Sequence, residues 1–273
     1  MSPLEKLGFA LVAFACATLG AAAPAPGGRP DEHRGVGSRE LPRLGECPVD
    51  SLPDDGLCLS LKGNGESPEL SPSKSAHRER SGEWNVYDQI PRRPERPADY
   101  DAYRYPIPPG LAGGHSVVSG YDLDMPDERQ RRGRMKAIGH GGVDLPQRRG
   151  TPVKLVALEH QEGDADVLYV GPLFGNTVIT RHAIHESGKL REYIVLFGHL
   201  DSYAPGVAAG TTLHDGDLIG GVGDTGSKEL VHLHLEVRRV REGVNLATGP
   251  AGGPLLAEST TVVCDPRNVL PLL

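Results

Sequence analysis

The segment from Val231 to Val237 alternates apolar and polar residues with a period of two, reading Val-His-Leu-His-Leu-Glu-Val. This period is typical of a half-buried β-strand. Because successive side chains of a strand point to opposite faces, His232, His234 and Glu236 share one face and the apolar residues face the core. Two imidazoles fixed on one face suit metal binding or proton transfer. On this segment alone, a buried strand with two incidental histidines explains the pattern equally well.

Other apolar runs predict the remaining strands of the same domain. Gly and Asp turns separate these runs, and no long helical period occurs among them. The predicted strands are Val153 to Ala157, Val167 to Val170, Asn176 to Thr180, Glu192 to Phe197 and Val231 to Val240. We therefore predict a mainly β fold, with a compact antiparallel-sheet domain preceded by a largely irregular N-terminal segment.

The N-terminal residues 1–23 have the form of a secretory signal peptide. A short apolar run from Leu7 to Leu19 follows Lys6, and small residues up to Ala23 offer a cleavage site. The run is too short to span a bilayer, so no integral membrane span is predicted. Because Glu5 opposes Lys6, an uncleaved amphipathic start is the alternative.

Residues 24–114 are predicted to be a Pro/Gly-rich, low-structure linker or pro-segment. Their Pro, Gly, Ser and mixed charge give few apolar runs that could offset chain entropy. Aromatic residues concentrate between Trp84 and Tyr105. This stretch either straps onto the following domain or lies across its groove as an inhibitory segment. Residues 115–273 are numerous enough for one core and are predicted to be the functional domain.

Cysteine usage fits an oxidising compartment but leaves the pairing open. Three of the four cysteines remain if Cys16 leaves with the signal peptide. Cys47 and Cys58 are spaced to close a small loop, and Cys264 is then free or pairs with one of them. No two cysteines form a CxxC pair, so thiolate ligation of zinc is disfavoured.

A second cluster of candidate ligands lies in Gly139-His140-Gly141-Gly142-Val143-Asp144. Each glycine costs a helix about 1 kcal/mol relative to alanine, so we expect an extended or tightly bent backbone that turns His140 and Asp144 toward one point. Catalytic zinc typically has three protein ligands from His, Asp, Glu or Cys. His140, Asp144 and one histidine of the His-x-His pair would supply them, and His199 is a further candidate at the end of an apolar strand. Two solvated loop residues are the alternative for His140 and Asp144.

Together these segments resemble the lysostaphin and LytM family of zinc metallopeptidases, which cut peptides in bacterial cell walls. The family pattern is His-x-x-x-Asp, then a strand running into His-Leu, then a Gly-rich turn and His-Leu-His-Phe/Leu-Glu. In this chain the same order is met by His140 to Asp144, Gly198 to Leu200 and His232 to Glu236. Shorter matching pieces are Arg149 to Val153, Phe174 to Val178, Gly216 to Gly220, Thr225-Gly226 and Asp265-Pro266. The resemblance covers about residues 117–273.

The resemblance implies a metallopeptidase with one Zn²⁺ per chain, held by His140, Asp144 and His234. It implies that His199 and His232 are catalytic histidines beside the metal. The implied reaction is hydrolysis of peptide bonds in peptidoglycan stem or cross-bridge peptides, with zinc-bound water as nucleophile and histidine as acid and base. Glu236 either orients a ligating imidazole or is a solvated charge.

Charge and composition restrict the partners. The net charge of −7 argues against nucleic acid, because phosphate binding needs clustered cations. We expect peptidoglycan peptides as partners, a monomer, and export to the periplasm, cell envelope or extracellular space. Two alternatives stay open. One is a non-enzymatic wall-binding regulator on the same fold, disfavoured because all five catalytic positions are filled. The other is a β-protein that stores metal at its His-x-His pair.

Overall fold

Strands make up most of the regular structure in the computed structural model, which describes residues 51–54, 57–60, 69–78, 82, 84–109, 117–123, 139–246 and 252–273. In chain order the strands are β1 (Ser51–Asp54), β2 (Leu57–Ser60), β3 (Ser73–Arg78), β4 (Trp84–Ile90), β5 (Gly142–Pro146), β6 (Pro152–Lys154), β7 (Gln161–Leu173), β8 (Gly175–Glu186), β9 (Lys189–Tyr203), β10 (Thr212–Leu213), β11 (Leu218–Val222), β12 (His232–Val240) and β13 (Thr261–Cys264). The helices within these ranges are short 3₁₀ turns at Tyr100–Ala102, Gly253–Leu256 and Pro266–Asn268. The predicted mainly β fold is confirmed.

One large sheet organises the part of the chain from β3 onward. Its main path has the order β10-β7-β8-β9-β12-β13-β4-β3, with β5 paired to β12, β11 to β9 and β6 to β11. Neighbouring strands are antiparallel except for the pair of β13 with β4, which is parallel. Strands β1 and β2 form a separate antiparallel hairpin. The centre of the large sheet is β12, since it pairs with β9 along one edge and with β5 and β13 along the other.

Four of the five predicted strands are present as β7, β8, β9 and β12, and the first three extend well beyond their apolar runs. Their polar flanking residues continue the ladder because neighbouring long strands supply hydrogen-bond partners. The strand predicted for Val153 to Ala157 ends at Lys154. Its next residue, Leu155, donates its N–H to the carbonyl of Asp217 at 2.8 Å instead of extending the strand.

Strand β12 is buried on both faces, whereas its alternating pattern predicts a half-buried strand. The apolar residues Leu233, Leu235 and Val237 are completely buried. The opposite face is also enclosed, with His234 and Glu236 each 5% exposed. Polar side chains are tolerated there because they form hydrogen bonds with one another, as Glu236 does with His234 and Arg238.

Residues 84–109, which we call the N-terminal strap, pack onto the domain. Strand β4 pairs with β13, and the side chains of Tyr103, Tyr105 and Ile107 belong to the main hydrophobic core. Backbone hydrogen bonds also join the strap to the C-terminal residues, for example from Arg104 N–H to the carbonyl of Pro271 at 2.9 Å. This part of the predicted linker or pro-segment is therefore structured, and it takes the strapped arrangement. The domain boundaries at residues 23 and 114 stay predictions.

The chemistry expected near the N-terminus lies mostly outside the described residues. This applies to the signal peptide of residues 1–23 and to Cys47, so the pairing of Cys47 with Cys58 stays a prediction. Cys264 is buried in β13 and is a free thiol. In the described part of the chain, no helix is both long and apolar enough to cross a membrane.

Candidate metal centre and active site

The register of β12 with its neighbours brings the predicted site residues onto one face of the sheet. His234 lies opposite Asp144 of β5 on one side and Gly198 of β9 on the other. His199 directly follows Gly198, so the centre of the site is fixed by three adjacent strands. Residues up to about 90 positions apart in sequence thus become neighbours through strand pairing alone.

The first element of the site, around His140, is extended as predicted. His140 forms an isolated antiparallel bridge with Asp122, and β5 begins two residues later. Gly142 is required here because a Cβ atom at this position would lie 2.4 Å from the carbonyl oxygen of Leu235 and 3.0 Å from Cε1 of His234. Gly142 therefore allows the β5 backbone to pass directly against the His234 ring.

Three donor atoms from His140, Asp144 and His234 converge on one point. His140 Nε2 lies 3.2 Å from Asp144 Oδ1 and 3.3 Å from His234 Nδ1. The third distance, from His234 Nδ1 to Asp144 Oδ1, is 2.9 Å. Among the described residues, this is the group of His, Cys, Asp and Glu side chains with the spacing of a metal site.

Hydrogen bonds on the outer side of the histidines determine which nitrogens can bind a metal. Nδ1 of His140 lies 2.8 Å from the carbonyl oxygen of Gly120, which can only accept, so Nδ1 carries the hydrogen and Nε2 keeps its lone pair. Nε2 of His234 lies 3.4 Å from Oε2 of Glu236 and donates to it in the same way. Outer partners of this kind are what fix the tautomer of metal-binding histidines.

Glu236 is held ionised, so it accepts from His234. Burial alone would raise its pKa, but the hydrogen bond from His234 and the charge of Arg238 lower it to about 2. Its second oxygen, Oε1, accepts from Nη1 of Arg238 at 2.6 Å. Of the two interpretations of Glu236, the solvated charge is wrong, since the side chain is buried and oriented toward the imidazole.

The cluster has the electrostatics of a cation site. Without a metal, burial would lower the pKa of His234, but its hydrogen bonds to Asp144 and Glu236 outweigh this effect and raise the pKa to about 9. Burial would conversely raise the pKa of Asp144, yet the hydrogen bonds from His140 and His234 hold it far below its usual range. The site therefore binds a positive charge, which is either the proton on Nδ1 of His234 or a metal ion in its place.

The donor set fits zinc. Zinc is bound by histidine nitrogen at about 2.0–2.1 Å and by carboxylate oxygen at about 2.0–2.2 Å, usually in tetrahedral geometry. Two ligands of such a tetrahedron are separated by about 3.3 Å, from the same bond lengths. The separations of 2.9, 3.2 and 3.3 Å found here are close to that value. Two imidazoles and one carboxylate are also ligand types that zinc accepts.

His199 and His232 lie beside this cluster, and each ring donates its Nδ1 hydrogen to a backbone carbonyl. Their ring centroids are 4.6 Å apart, and Nε2 of His232 lies 3.5 Å from Asp144 Oδ1. Nδ1 of His199 donates to the carbonyl oxygen of Thr225, and Nδ1 of His232 donates to that of Leu230, both at 2.8 Å. In the neutral ring, both residues therefore keep the Nε2 lone pair, which can accept a proton.

The backbone of His199 adopts a conformation that is uncommon for a residue with a side chain. Its φ angle is 59°, in the left-handed region, and its N–H donates to the carbonyl oxygen of Phe174 at 2.8 Å. Burial lowers the pKa of His199 to about 4, although the bond to Thr225 acts in the opposite direction. His199 is therefore a neutral base at neutral pH, held in a strained position of the kind that clusters at functional sites.

Sequence reasoning missed the residues that support the site. The Phe174 ring stacks on that of His234, with 14° between the planes and 5.1 Å between centroids. Phe174 lies in one of the segments that match the family pattern, and that match was a sequence signal for its place in the site. The carbonyl groups of Gly120, Thr225 and Leu230 gave no signal, because every residue has a carbonyl group.

Comparison with known proteins places these residues in a family. Residues 138–246 match the model of peptidase family M23, a range that contains all five predicted site residues. No curated protein sequence matches the chain.

Several solved structures are similar to this chain at low identity. The catalytic domain of the antimicrobial peptidase lysostaphin from Staphylococcus simulans is 23% identical, with 52% of this chain and 92% of that one covered and a TM-score of 0.35. The prophage-encoded M23 protein EnpA from Enterococcus faecalis is 20% identical, with coverage of 52% and 96% and a TM-score of 0.32. A zinc-containing peptidase from Vibrio cholerae is 24% identical, with coverage of 65% and 47% and a TM-score of 0.36.

The family assignment rests on the family model and on the metal-site donors inside its range. The solved structures, at 20–24% identity and with TM-scores of 0.32–0.36, add nothing to it. The matched range begins at residue 138, two residues before His140, and ends at residue 246, after β12. Over residues 138–246 the chain thus carries a peptidase M23 domain, of the lysostaphin and LytM type, with the donor set of a zinc-dependent metalloendopeptidase.

Proposed function

We propose that this chain hydrolyses peptide bonds in the stem or cross-bridge peptides of bacterial peptidoglycan. In this proposal His140, Asp144 and His234 hold the zinc ion, and His199 and His232 are the catalytic histidines. The observation that carries it is the convergence of three metal donors with two histidines whose Nε2 atoms keep their lone pairs. The substrate class follows from the family resemblance, and the site chemistry is compatible with it.

When bound, zinc supplies a Lewis acid that lowers the pKa of a water molecule to about 7 and polarises the scissile carbonyl. The chain's own residues then handle the protons. His232 accepts the proton of the attacking water on Nε2, as the bond from Nδ1 to the Leu230 carbonyl leaves only Nε2 free to accept. The same proton is donated to the nitrogen of the leaving amine as the C–N bond breaks.

His199 shares this proton transfer in our proposal. Its lowered pKa keeps it neutral, so it starts as an acceptor and donates only after it has gained a proton. The fixed bond to the Thr225 carbonyl prevents the ring from flipping and exchanging its two nitrogens. A neutral imidazole suits this task because its unprotonated nitrogen can accept a proton and later return it.

The proposed activity is tested by digesting purified peptidoglycan with zinc-loaded protein and identifying the released fragments by mass spectrometry. We expect His140→Ala to lose both zinc and activity, and His232→Ala to retain zinc and lose turnover. His214→Ala is the matched control, because His214 is an exposed histidine paired only with acidic residues outside the site. It should behave as wild type.

The same assay separates the alternatives. A wall-binding regulator would bind peptidoglycan and release no fragments. A metal-storage protein would bind zinc and cleave no peptide at all. Full hydrolysis by metal-free protein would contradict the proposed mechanism.

We also propose export to the periplasm, cell envelope or extracellular space. The support is the N-terminal apolar run with its small-residue cleavage site. Cell fractionation and N-terminal sequencing of the mature chain test export. A retained Met1 in a purely cytoplasmic fraction would contradict it.

A further inference from the structure

The hydrogen-bond partners of the His140 backbone and of its Nδ1 atom lie upstream of the family match. Residues 117–123, which we call the brace, run antiparallel to β5 and its approach. Asp122 and His140 exchange backbone hydrogen bonds of 2.7 and 3.0 Å, and Asp144 donates its N–H to the carbonyl of Ser119 at 2.9 Å. Two of the three metal-donor residues are therefore tied to the brace through their backbones.

The brace also contacts the imidazole of His140 directly. The carbonyl of Gly120 accepts from Nδ1 at 2.8 Å, and Oγ of Ser119 lies 3.1 Å from the same nitrogen. These contacts decide which nitrogen of His140 keeps its lone pair. The brace thus provides both the position and the tautomer of the first ligand.

Burial holds the brace only in part. Val118 is 68% exposed, Asp122 is exposed, and most of the remaining brace residues are half-buried. A segment of this kind needs specific anchors to keep one conformation, because fixing each residue costs about 1–2 kcal/mol of backbone entropy.

The anchors come from tyrosines of the N-terminal strap. Tyr100 accepts the backbone N–H of Tyr121 on its hydroxyl at 3.1 Å, and Tyr87 donates its hydroxyl to the carbonyl of Leu123 at 2.6 Å. Tyr100 also packs against Gly120 so closely that a Cβ there would lie 2.5 Å from its oxygen. The Arg267 guanidinium lies over the Tyr100 ring, 4.1 Å from its centroid, and helps to fix the ring.

We infer that Tyr87 and Tyr100 are positioning residues of the metal site, acting through the brace on His140. The inference rests on the proposed zinc ligands and adds that the N-terminal strap is a working part of the enzyme. It therefore assigns the strap a role opposite to that of an inhibitory segment across the groove. Both tyrosines hydrogen-bond to the brace, so we assign their effect to the bonds that the brace makes with His140 and Asp144.

The test uses the full chain with Tyr100→Phe and Tyr87→Phe, singly and together. Each change deletes one oxygen atom and keeps the ring. Zinc affinity is measured by competition with a chromophoric chelator, and thermal unfolding is measured on the metal-free proteins. Loss of partners outside the ligand shell typically weakens metal binding about 10–100-fold, and we expect that range for the double variant. At saturating zinc its activity should largely return.

The matched control is Tyr103→Phe, another strap tyrosine, whose hydroxyl donates to the carbonyl of Pro97 within the strap at 2.6 Å. It should leave zinc affinity unchanged. If the double variant does not fold, the single variants decide, with a severalfold loss of affinity expected in each. Zinc affinity equal to that of the control would overturn the inference, even if the melting temperature falls, since that result indicates a purely structural role. A wild-type chain that binds no zinc would instead overturn the proposed function.

Discussion

Replacing Glu236 by glutamine should weaken both the fold and the metal site without removing a ligand. The two carboxylate oxygens serve different donors, namely Nε2 of His234 at 3.4 Å and Nη1 of Arg238 at 2.6 Å. Glutamine has a single acceptor oxygen, so its NH₂ group must face one of these donors. Because all three side chains are buried, water cannot relieve the conflict.

The size of the effect follows from what remains paired. Removing one partner of a buried ion pair typically costs about 3–5 kcal/mol. Arg238 keeps hydrogen bonds to Oγ1 of Thr261 at 2.7 Å and to the carbonyl of Leu256 at 2.9 Å. We therefore expect the lower end of that range, about 3 kcal/mol of unfolding free energy. Zinc affinity should fall about 10–100-fold, because the tautomer of His234 is no longer fixed.

Urea unfolding of the metal-free proteins measures the change in unfolding free energy. Competition with a chelator measures the change in zinc affinity. Glu162→Gln is the control, since Glu162 is an exposed residue paired with the exposed His185. Its effect should stay within about 0.5 kcal/mol. A Glu236→Gln protein that loses less than about 1 kcal/mol and binds zinc like wild type would refute the reasoning.

Two further predictions concern the histidines. Since the hydrogen bonds to Asp144 and Glu236 raise the pKa of His234 to about 9, zinc must displace a proton below that pH. Apparent zinc affinity should then rise about tenfold per pH unit between pH 7 and 8.5, with proton release seen by calorimetry in two buffers; a pH-independent affinity would contradict this. Thr225 bonds two backbone groups through its hydroxyl while its carbonyl holds His199. Thr225→Val should lower kcat about tenfold or more at unchanged zinc content, whereas Thr225→Ser should keep a kcat near that of wild type. Equal kcat values in the two variants would show that the Thr225 hydroxyl does not position His199.

The proximity of the candidate metal donors could be predicted from sequence because the patterns that mark them are local. An alternating strand places His232 and His234 on one face, and a glycine pair marks an extended backbone beside His140. The structure brings these residues together with Asp144 and His199 as expected. Local periodicity is the strongest single-sequence signal, and here it coincides with the chemistry.

The N-terminal strap could not be predicted in the same way. Its strand β4 depends on β13 as partner, and Asn268 donates its side-chain amide to the carbonyl of Pro91 across 177 residues. Nothing within the strap itself identifies such distant partners, and its proline content is typical of a linker. The buried pair of Glu236 and Arg238 was equally invisible, because charged residues two apart on a strand are most often solvated.

The strap and the C-terminal residues that it contacts are far apart in sequence, so they cannot pair until the chain is almost fully synthesised. Strands β7, β8 and β9 are joined by tight hairpins and can form as soon as they are made. Closing a loop as long as that between Pro91 and Asn268 is entropically costly and slow, as in other topologies of high contact order. We therefore expect a nascent chain to acquire its hairpins during translation and full zinc affinity only after Asn268 has been synthesised.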